Sequence, residues 1–562
     1  MNNLKPSQEK PWLKFYGKIA NNIEVPNCSI QEFLKMKNQD ENLVAIKFYE
    51  TEITYKQIFE NSLKVAKSLQ AMGFKENDQI PVFLLATPEF IYLLLGAEMI
   101  GASLVCRDGE LEEIIDAISN SGAKTIFVHD FLTSSEEFAY RQIGVENIIY
   151  ITPNYSATYL PDFINNGLQF RYGDSLFKKE NNISWDEFLN KGINEKITYI
   201  ANDVNKPVYR AYTTGTTGTS KQVIHTAHSI IGILVQMSFY SQSEDKRLLW
   251  ECGIFPPSLV ATTVAMILSP LASNKILLLN PLLVPFDYDL SMMYYKPNIF
   301  ALIPMTANIV LNSKRIPDDF DMSFLISCGS GAEFTNNKLI RQMNEFFRKH
   351  NSEATYTVGY GMSEAGSNIL LPIPNVSSDN CCIGIPMPLT TIGIFTYGTD
   401  VELNYGELGE ICKTGEGNMY GYSKEEDTQK VLFKHSDGNT WLHTGDIGYI
   451  TEDGFVHVLN RGFVKHFTGN NLFVYNMENK IIDIDGIKDA FFLTKEDKEH
   501  EGYFVPYLYI IPDDVDRIDE IKEKVKERLE DFEQPRDVFI LNERPFFHMK
   551  TARRFLAAEI KD

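Results

Sequence analysis

Thr213–Lys221, TTGTTGTSK, packs five threonines, two glycines and a lysine into nine positions. Glycine lets a backbone approach a phosphate closely and adopt positive φ. Backbone N–H groups and hydroxyls then donate to phosphate oxygens, and a lysine adds a mobile cation. The spacing is not the Walker pattern GxxxxGK[ST]. Standing alone, such a loop reads as readily as a flexible surface turn. Its surroundings decide: an apolar run follows it, and partners for a bound phosphate stand further along the chain.

Outward from the loop, short runs rich in Val, Ile and Leu (AKTIFVHD, ENIIYITP, NKILLLNP, NIFALIPM) alternate with helical patterns. Alternation of this kind predicts strands buried in sheets with helices on their faces, an α/β fold. Ile80–Cys106 is strongly apolar, but Pro88, Glu89 and Glu98 interrupt it. No uncharged run there approaches the ~20 residues of a membrane span. It reads instead as a buried strand, a Pro-Glu helix start, a core helix and a second strand. TWLHTGDIGYITEDGFVHVLNR reads as two strands joined by a Glu-Asp-Gly turn. A unit of about a hundred residues follows, an ordinary domain size. It contains FVPYLYIIP, read as a strand, and VDRIDEIKEKVKERLEDF, a charged amphipathic helix with a solvated face. The expected division is a large N-terminal domain, 1–460, and a small α+β lid, 461–562, with a hinge near 461–463.

The 562 residues carry a net charge of -22. Nucleic acid attracts basic surfaces, so broad nucleic-acid binding is excluded. The seven cysteines are scattered and form no CxxC pair, so neither a disulfide framework nor a zinc site is expected. The first residues, MNNLKPSQEKPW, hold no apolar signal core, and the expected location is the reducing cytoplasm.

Tyr212–Gln222, YTTGTTGTSKQ, resembles the phosphate loop of the adenylate-forming superfamily of acyl-CoA synthetases, nonribosomal peptide synthetase adenylation domains and luciferase-type enzymes. The usual loop reads [ST]SGTTGxPKG; Thr214, Ser220 and Gln222 stand where Ser, Pro and Gly are usual. Further motifs follow in order. Ser327–Phe334, SCGSGAEF, resembles the turn that lines the adenine and acyl pocket. Tyr360–Glu364, YGMSE, resembles YGxTE. GELGEI from Gly406 with Gly421–Tyr422, then Thr444–Asp446, Arg461, and Lys550 with TARRFL complete the set. The N-terminal KPWLKFY and the PEF-led helix are similar to the acyl-CoA synthetase branch. The resemblance covers nearly the whole chain.

It implies that Thr213, Thr214, Gly215, Thr216, Thr217, Gly218 and Lys221 hold ATP phosphates. Ser330, Gly331, Ala332, Tyr360, Gly361 and Ser363 would border the nucleotide, with Asp446 and Arg461 at the ribose. Chemistry supports several roles independently. Tyr360 offers a face for adenine, or is a core tyrosine. Glu364, with Thr213, suits Mg²⁺, or is a carboxylate at a helix start. Asp446 can accept from both ribose hydroxyls, or is a turn aspartate. Arg461 binds ribose or phosphate oxygens, or pairs with an acid. The resemblance makes Lys550 the lysine that bridges the acyl carboxylate and the α-phosphate; otherwise it is an exposed loop lysine.

The implied function is an ATP- and Mg²⁺-dependent ligase. It would join a carboxylic acid to AMP with Lys550, Lys221 and Glu364 as catalytic groups, then pass the acyl group to CoA. The N-terminal resemblance and the apolar segment Leu259–Leu271 point to a fatty or other lipophilic acid. Two rivals are an enzyme that loads the phosphopantetheine thiol of a carrier protein, and a nonenzymatic nucleotide-binding relative. The latter is suggested by departures near the hinge (NRGFVKHFTGNN) and by Met549 where Gly is usual. Gly173–Leu176, GDSL, is a chance match to a hydrolase block. Cys381 and Cys382 are packed thiols; His225 and His228 follow the phosphate loop, and His228 is polar packing or acyl-site lining.

Overall fold

Helix Pro88–Met99 is buried at every residue, and Ala227–Ser238 nearly so. A helix that is apolar all round needs cover on all sides, and the sheets of this α/β protein supply it. In the computed structural model the described residues are 5–17, 23–172, 181–198, 203–213, 220–238, 247–373, 381–547 and 550–560. Thr214, Gly215, Thr216, Thr217, Gly218, Met549 and the GDSL segment lie outside them.

Two mostly parallel sheets dominate the large region. One orders Gly421–Tyr422, Gln222–Thr226, Pro207–Tyr212, Ser103–Cys106, Gln79–Phe83, Thr125–His129, Asn147–Ile151 and Ile183–Ser184. The other runs from Tyr356–Val358 through Ser327–Ser330, Ile299–Ala301, Leu249–Glu251 and Ile276–Leu279 to the hairpin Val44–Phe48 and Thr51–Thr54. Their central strands are short and buried, as continuous Val/Ile/Leu runs require. Gly96 sits where a Cβ would lie 2.7 Å from a Val65 methyl and 2.9 Å from the Ser62 carbonyl. That absence of a side chain lets Pro88–Met99 pack directly on Tyr55–Ala71.

A third, antiparallel sheet carries Tyr360–Met362, Ser367–Leu371, Cys382–Pro386, Val456–Arg461, Thr440–Ile450, Gly409–Gly415 and Thr390–Phe395. The hairpin read from TEDG is present, and its register sets Asp446 opposite Arg461. Beyond Arg461, Ile487–Glu496, Phe504–Pro512 and Val538–Ile540 form a separate three-stranded sheet. Val474–Ile481 and Ile518–Arg528 cover it, and they share an apolar core with it that includes Met477, Leu508, Ile510 and Ile521. The two-residue strands Phe546–Phe547 and Lys550–Thr551 pair beside it.

The apolar stretch after Leu259 takes an unusual form: Thr262–Leu268 is a π-helix. Ser269 N–H donates to the carbonyl five residues back, on Val264. Pro270 follows immediately; it has no N–H to give, and its ring crowds the carbonyl four residues earlier, a condition that a wider turn relieves. Among the described residues no helix is long and apolar enough to cross a membrane.

Candidate active site

The base of the Thr/Gly loop is zipped between two strands. Thr213 N–H donates to the Lys221 carbonyl at 2.9 Å, and Lys221 N–H returns a bond to Thr213 Oγ1 at 3.0 Å. Lys221 Nζ lies 4.9 Å from the centre of the Tyr422 ring and 3.8 Å from Asp427 Oδ1. Tyr422 in turn donates its hydroxyl to Glu364 Oε1 at 2.6 Å. The strand Gly421–Tyr422 pairs with Gln222–Thr226 just past the loop, so Lys221 and Glu364 meet through one tyrosine.

The Tyr360–Glu364 segment is pinned from behind. Buried His225 bonds the Ser363 carbonyl through Nε2 at 2.8 Å. Burial pushes the His225 ring down to about 4, so at neutral pH it is an uncharged donor. His225 is thereby polar packing behind the motif; His228, half-buried, lies 3.2 Å from Glu416. Gly361 has no room for a Cβ, which would fall 1.8 Å from the Ser367 carbonyl. Ser330 belongs to the neighbouring strand and accepts from Gly359 N–H at 2.9 Å. That bond sets the Ser330–Gly331–Ala332 turn beside Tyr360. Ala332 takes φ of +69°, a conformation unusual for a residue with a side chain.

Asp446 is the hub of the second half. Its Oδ2 accepts from the Tyr360 hydroxyl at 2.6 Å and its Oδ1 from Arg461 Nη1 at 3.0 Å. Burial raises the Asp446 carboxyl, opposed by Arg461 and the tyrosine hydroxyl. Burial also works against the Arg461 charge, but Asp446 holds the guanidinium above its ordinary value. The Thr-Gly-Asp turn beneath is fixed by three further bonds. Thr444 Oγ1 donates to the Ile411 carbonyl at 2.7 Å and accepts Asp446 N–H at 3.1 Å. Gly445 N–H donates to Glu410 Oε1 at 3.0 Å. Glu410, Cys412 and His443 lie close enough together to suggest a metal site. The carboxylate, however, is already engaged by Gly398 N–H, Gly445 N–H and the His443 ring, which gives the cluster a hydrogen-bonded role.

Lys550 reaches this cluster from the far end of the chain. It is half-buried on its two-residue strand, and burial lowers its ammonium pKa. Glu333 and Asp108 oppose that shift, while Arg461 adds to it. Lys550 is therefore within electrostatic range of Arg461, which itself feels Glu364. The predicted residues Lys221, Glu364, Tyr360, Asp446, Arg461 and Lys550 are thus linked by hydrogen bonds, the Lys221–Tyr422 ring contact and charge interactions. Sequence reasoning gave no role to Tyr422, Glu333, Glu410 or Lys413.

Lys413 is fully buried, donating to the Glu416 carbonyl at 2.6 Å and Asn418 Oδ1 at 2.7 Å. The loop it holds passes Met419 N–H to the Glu364 carbonyl at 2.8 Å. Burial depresses the Lys413 amine to about 7. Between pH 7 and its unfolded value near 10.4 the unfolded chain binds one proton more than the folded one, so stability rises with pH across that window. We expect wild-type stability to climb relative to Lys413→Met between pH 7 and pH 9, by as much as ~1.4 kcal/mol per unit. Parallel denaturant curves for the two proteins at both pH values measure it.

The family described as AMP-binding enzyme matches residues 33–423. The chain is 25% identical over 497 residues to 4-coumarate–CoA ligase 3 of Arabidopsis thaliana, covering 85% of this chain and 81% of that one. It is 26% identical over 499 residues to the long-chain-fatty-acid–CoA ligase of Bacillus subtilis (strain 168), covering 86% and 85%. In fold it resembles the ATP-bound crystal structure of MatB from Rhodopseudomonas palustris, with a TM-score of 0.77, 17% identity and coverage of 94% and 99%.

Proposed function

The chain belongs to the AMP-binding enzyme family, and from that premise we propose that it is an ATP-dependent ligase of a carboxylic acid with CoA. One observation carries this function: Asp446, Arg461, Tyr360, Glu364, Lys221 and Lys550, up to 329 positions apart, are joined through Tyr422 and one another by hydrogen bonds, a cation–ring contact and charge interactions. The relatives named above are CoA ligases of 4-coumarate and of long-chain fatty acids. The buried, mostly apolar helices Ala227–Ser238 and Thr262–Leu268 favour a fatty or other lipophilic acid.

In this mechanism Asp446 accepts from the ribose hydroxyls, held in place by Tyr360, Arg461 and the Gly445–Glu410 bond. The Thr213–Lys221 loop and Lys221 take the β- and γ-phosphates. An oxygen of the acid attacks the α-phosphorus, and pyrophosphate leaves. Lys550 stabilises the charge that builds between carboxylate and α-phosphate. Buried Glu364 and the Thr213 hydroxyl are oxygen donors of the kind Mg²⁺ takes alongside phosphate oxygens, and the ion when bound supplies charge neutralisation on the phosphates. The acyl-AMP is reactive, so the closed site must keep water from it. The CoA sulfur then attacks the acyl carbonyl, and AMP departs. We further propose that 461–562 moves as a lid about Gly462, whose φ of +69° lies where glycine turns freely.

An acid panel in ATP–pyrophosphate exchange, followed by CoA and phosphopantetheinyl carrier as competing acceptors, tests the function. Exchange with at least one lipophilic acid and transfer to CoA is expected. No exchange with any acid would leave a nucleotide-binding relative, and transfer to the carrier alone would make it a loading enzyme.

A further inference from the structure

Glu333 follows the pocket turn yet faces the C-terminal region. Its Oε2 accepts Thr551 N–H at 3.1 Å and the Thr551 hydroxyl at 2.7 Å, a contact spanning 218 positions. Thr551 is the neighbour of Lys550 on the same two-residue strand. The Thr551 hydroxyl also accepts from Arg544 Nη1 at 3.1 Å, and Arg544 Nε donates to Asp489 Oδ2 at 2.6 Å. The Glu333 carboxylate is thus wired into strand Ile487–Glu496. Its other oxygen, Oε1, is buried with no hydrogen-bond partner among the described residues.

The residues after Glu333 continue the same seat. Phe334 stacks on Tyr475 with ring centres 4.5 Å apart and planes 8° from parallel. Asn337 N–H donates to Asn479 Oδ1 at 3.0 Å, and Lys338 Nζ to the Ile487 carbonyl. Those contacts hold the C-terminal region broadly in place. Glu333 alone among them touches the residue adjoining Lys550. A carboxylate with one oxygen bound to Thr551 and the other buried and unpaired costs free energy unless a cation completes it. The Lys550 ammonium, on the residue next to Thr551, is a cation that feels the Glu333 charge.

We propose that Glu333 is a positioning residue for Lys550, fixing its strand through Thr551 and presenting a carboxylate oxygen to its ammonium when the lid is seated for adenylation. This rests on the adenylation function proposed above. It commits Glu333 to the first half-reaction: the seat must break when the lid turns to deliver the thiol.

The test compares wild type, Glu333→Ala, Thr551→Ala and the double variant. Glu333→Ala is expected to lower kcat for pyrophosphate exchange by roughly 10- to 100-fold, the scale of a small misplacement of a catalytic group. KM for ATP should stay within about threefold, and transfer from added acyl-AMP to CoA should be unimpaired. Thr551→Ala should give a smaller loss, and the double variant should lose no more than Glu333→Ala. Hydrogen exchange at the Thr551 amide should speed up in Glu333→Ala, with the unfolding midpoint reporting that the variant is folded. Wild-type kcat in Glu333→Ala, losses that multiply in the double variant, a loss confined to KM for ATP, or unchanged Thr551 protection would each overturn the proposal. If wild type itself exchanges pyrophosphate with no acid, the adenylation function falls, and Thr551 protection still decides whether Glu333 seats the strand.

Discussion

Lys550→Ala is expected to slow adenylation by on the order of 10²–10³-fold while sparing ATP binding. Lys550 is the cation brought in by the C-terminal hairpin, half-buried and within range of Arg461, Glu333 and Asp108. Partly buried, its charge would act on the proposed carboxylate and α-phosphate more strongly than it would in bulk water. Loss of one such pre-organised group costs on the order of 10²–10³-fold in kcat, about 3–4 kcal/mol. Asp446, Arg461 and Lys221 remain, so ATP affinity by calorimetry should change little. Because Lys550 serves the first half-reaction, transfer from synthetic acyl-AMP to CoA should persist in the variant. Equal loss in both half-reactions would show that Lys550 supports the fold of the cleft and is not the adenylation cation. Lys550→Arg keeps the charge but spreads it over a planar fork, and is expected to recover only part of the rate.

Residues proposed to contact a ligand were the legible part of this site. Phosphate, ribose and adenine each demand particular residue types, and those demands leave local strings such as TTGTTGTSK, YGMSE and HTGD. The alternating buried strands were legible for a similar reason, since a sheet covered on both faces writes itself as short Val/Ile/Leu runs. Glu333 left no such trace. Its meaning comes from Thr551, 218 positions away, and a glutamate in a turn has many uses. Lys413 is also opaque: a lysine in a strand reads as solvated, and only the fold shows it buried against Glu416 and Asn418. The π-helix Thr262–Leu268 looks in sequence like any apolar helix, because the shift of hydrogen-bond register depends on how Pro270 is accommodated.

Asp446→Ala is expected to strike nucleotide affinity and leave the chemistry of bound substrate much less affected. Asp446 holds two partners at once: the Tyr360 hydroxyl at 2.6 Å and Arg461 at 3.0 Å. It is also the proposed acceptor for the ribose hydroxyls, and hydrogen bonds to a charged group contribute about 1.5–3 kcal/mol each. Losing two ribose bonds, about 3–6 kcal/mol together, should raise Kd for ATP by roughly 10²- to 10⁴-fold, taking 1.4 kcal/mol per tenfold. Tyr360→Phe removes one of these partners and keeps the carboxylate, so its effect should be far smaller. The ordering separates two physical roles. If Asp446 mainly binds ribose, Asp446→Ala should discriminate poorly between ATP and 2′,3′-dideoxy-ATP, whereas wild type discriminates strongly. If Asp446 mainly anchors Arg461 across the strand pair, the variant should lose affinity for both nucleotides alike and keep its preference between them. Calorimetric titration of each protein with both nucleotides decides, and retained preference in Asp446→Ala would remove the ribose contact from the mechanism.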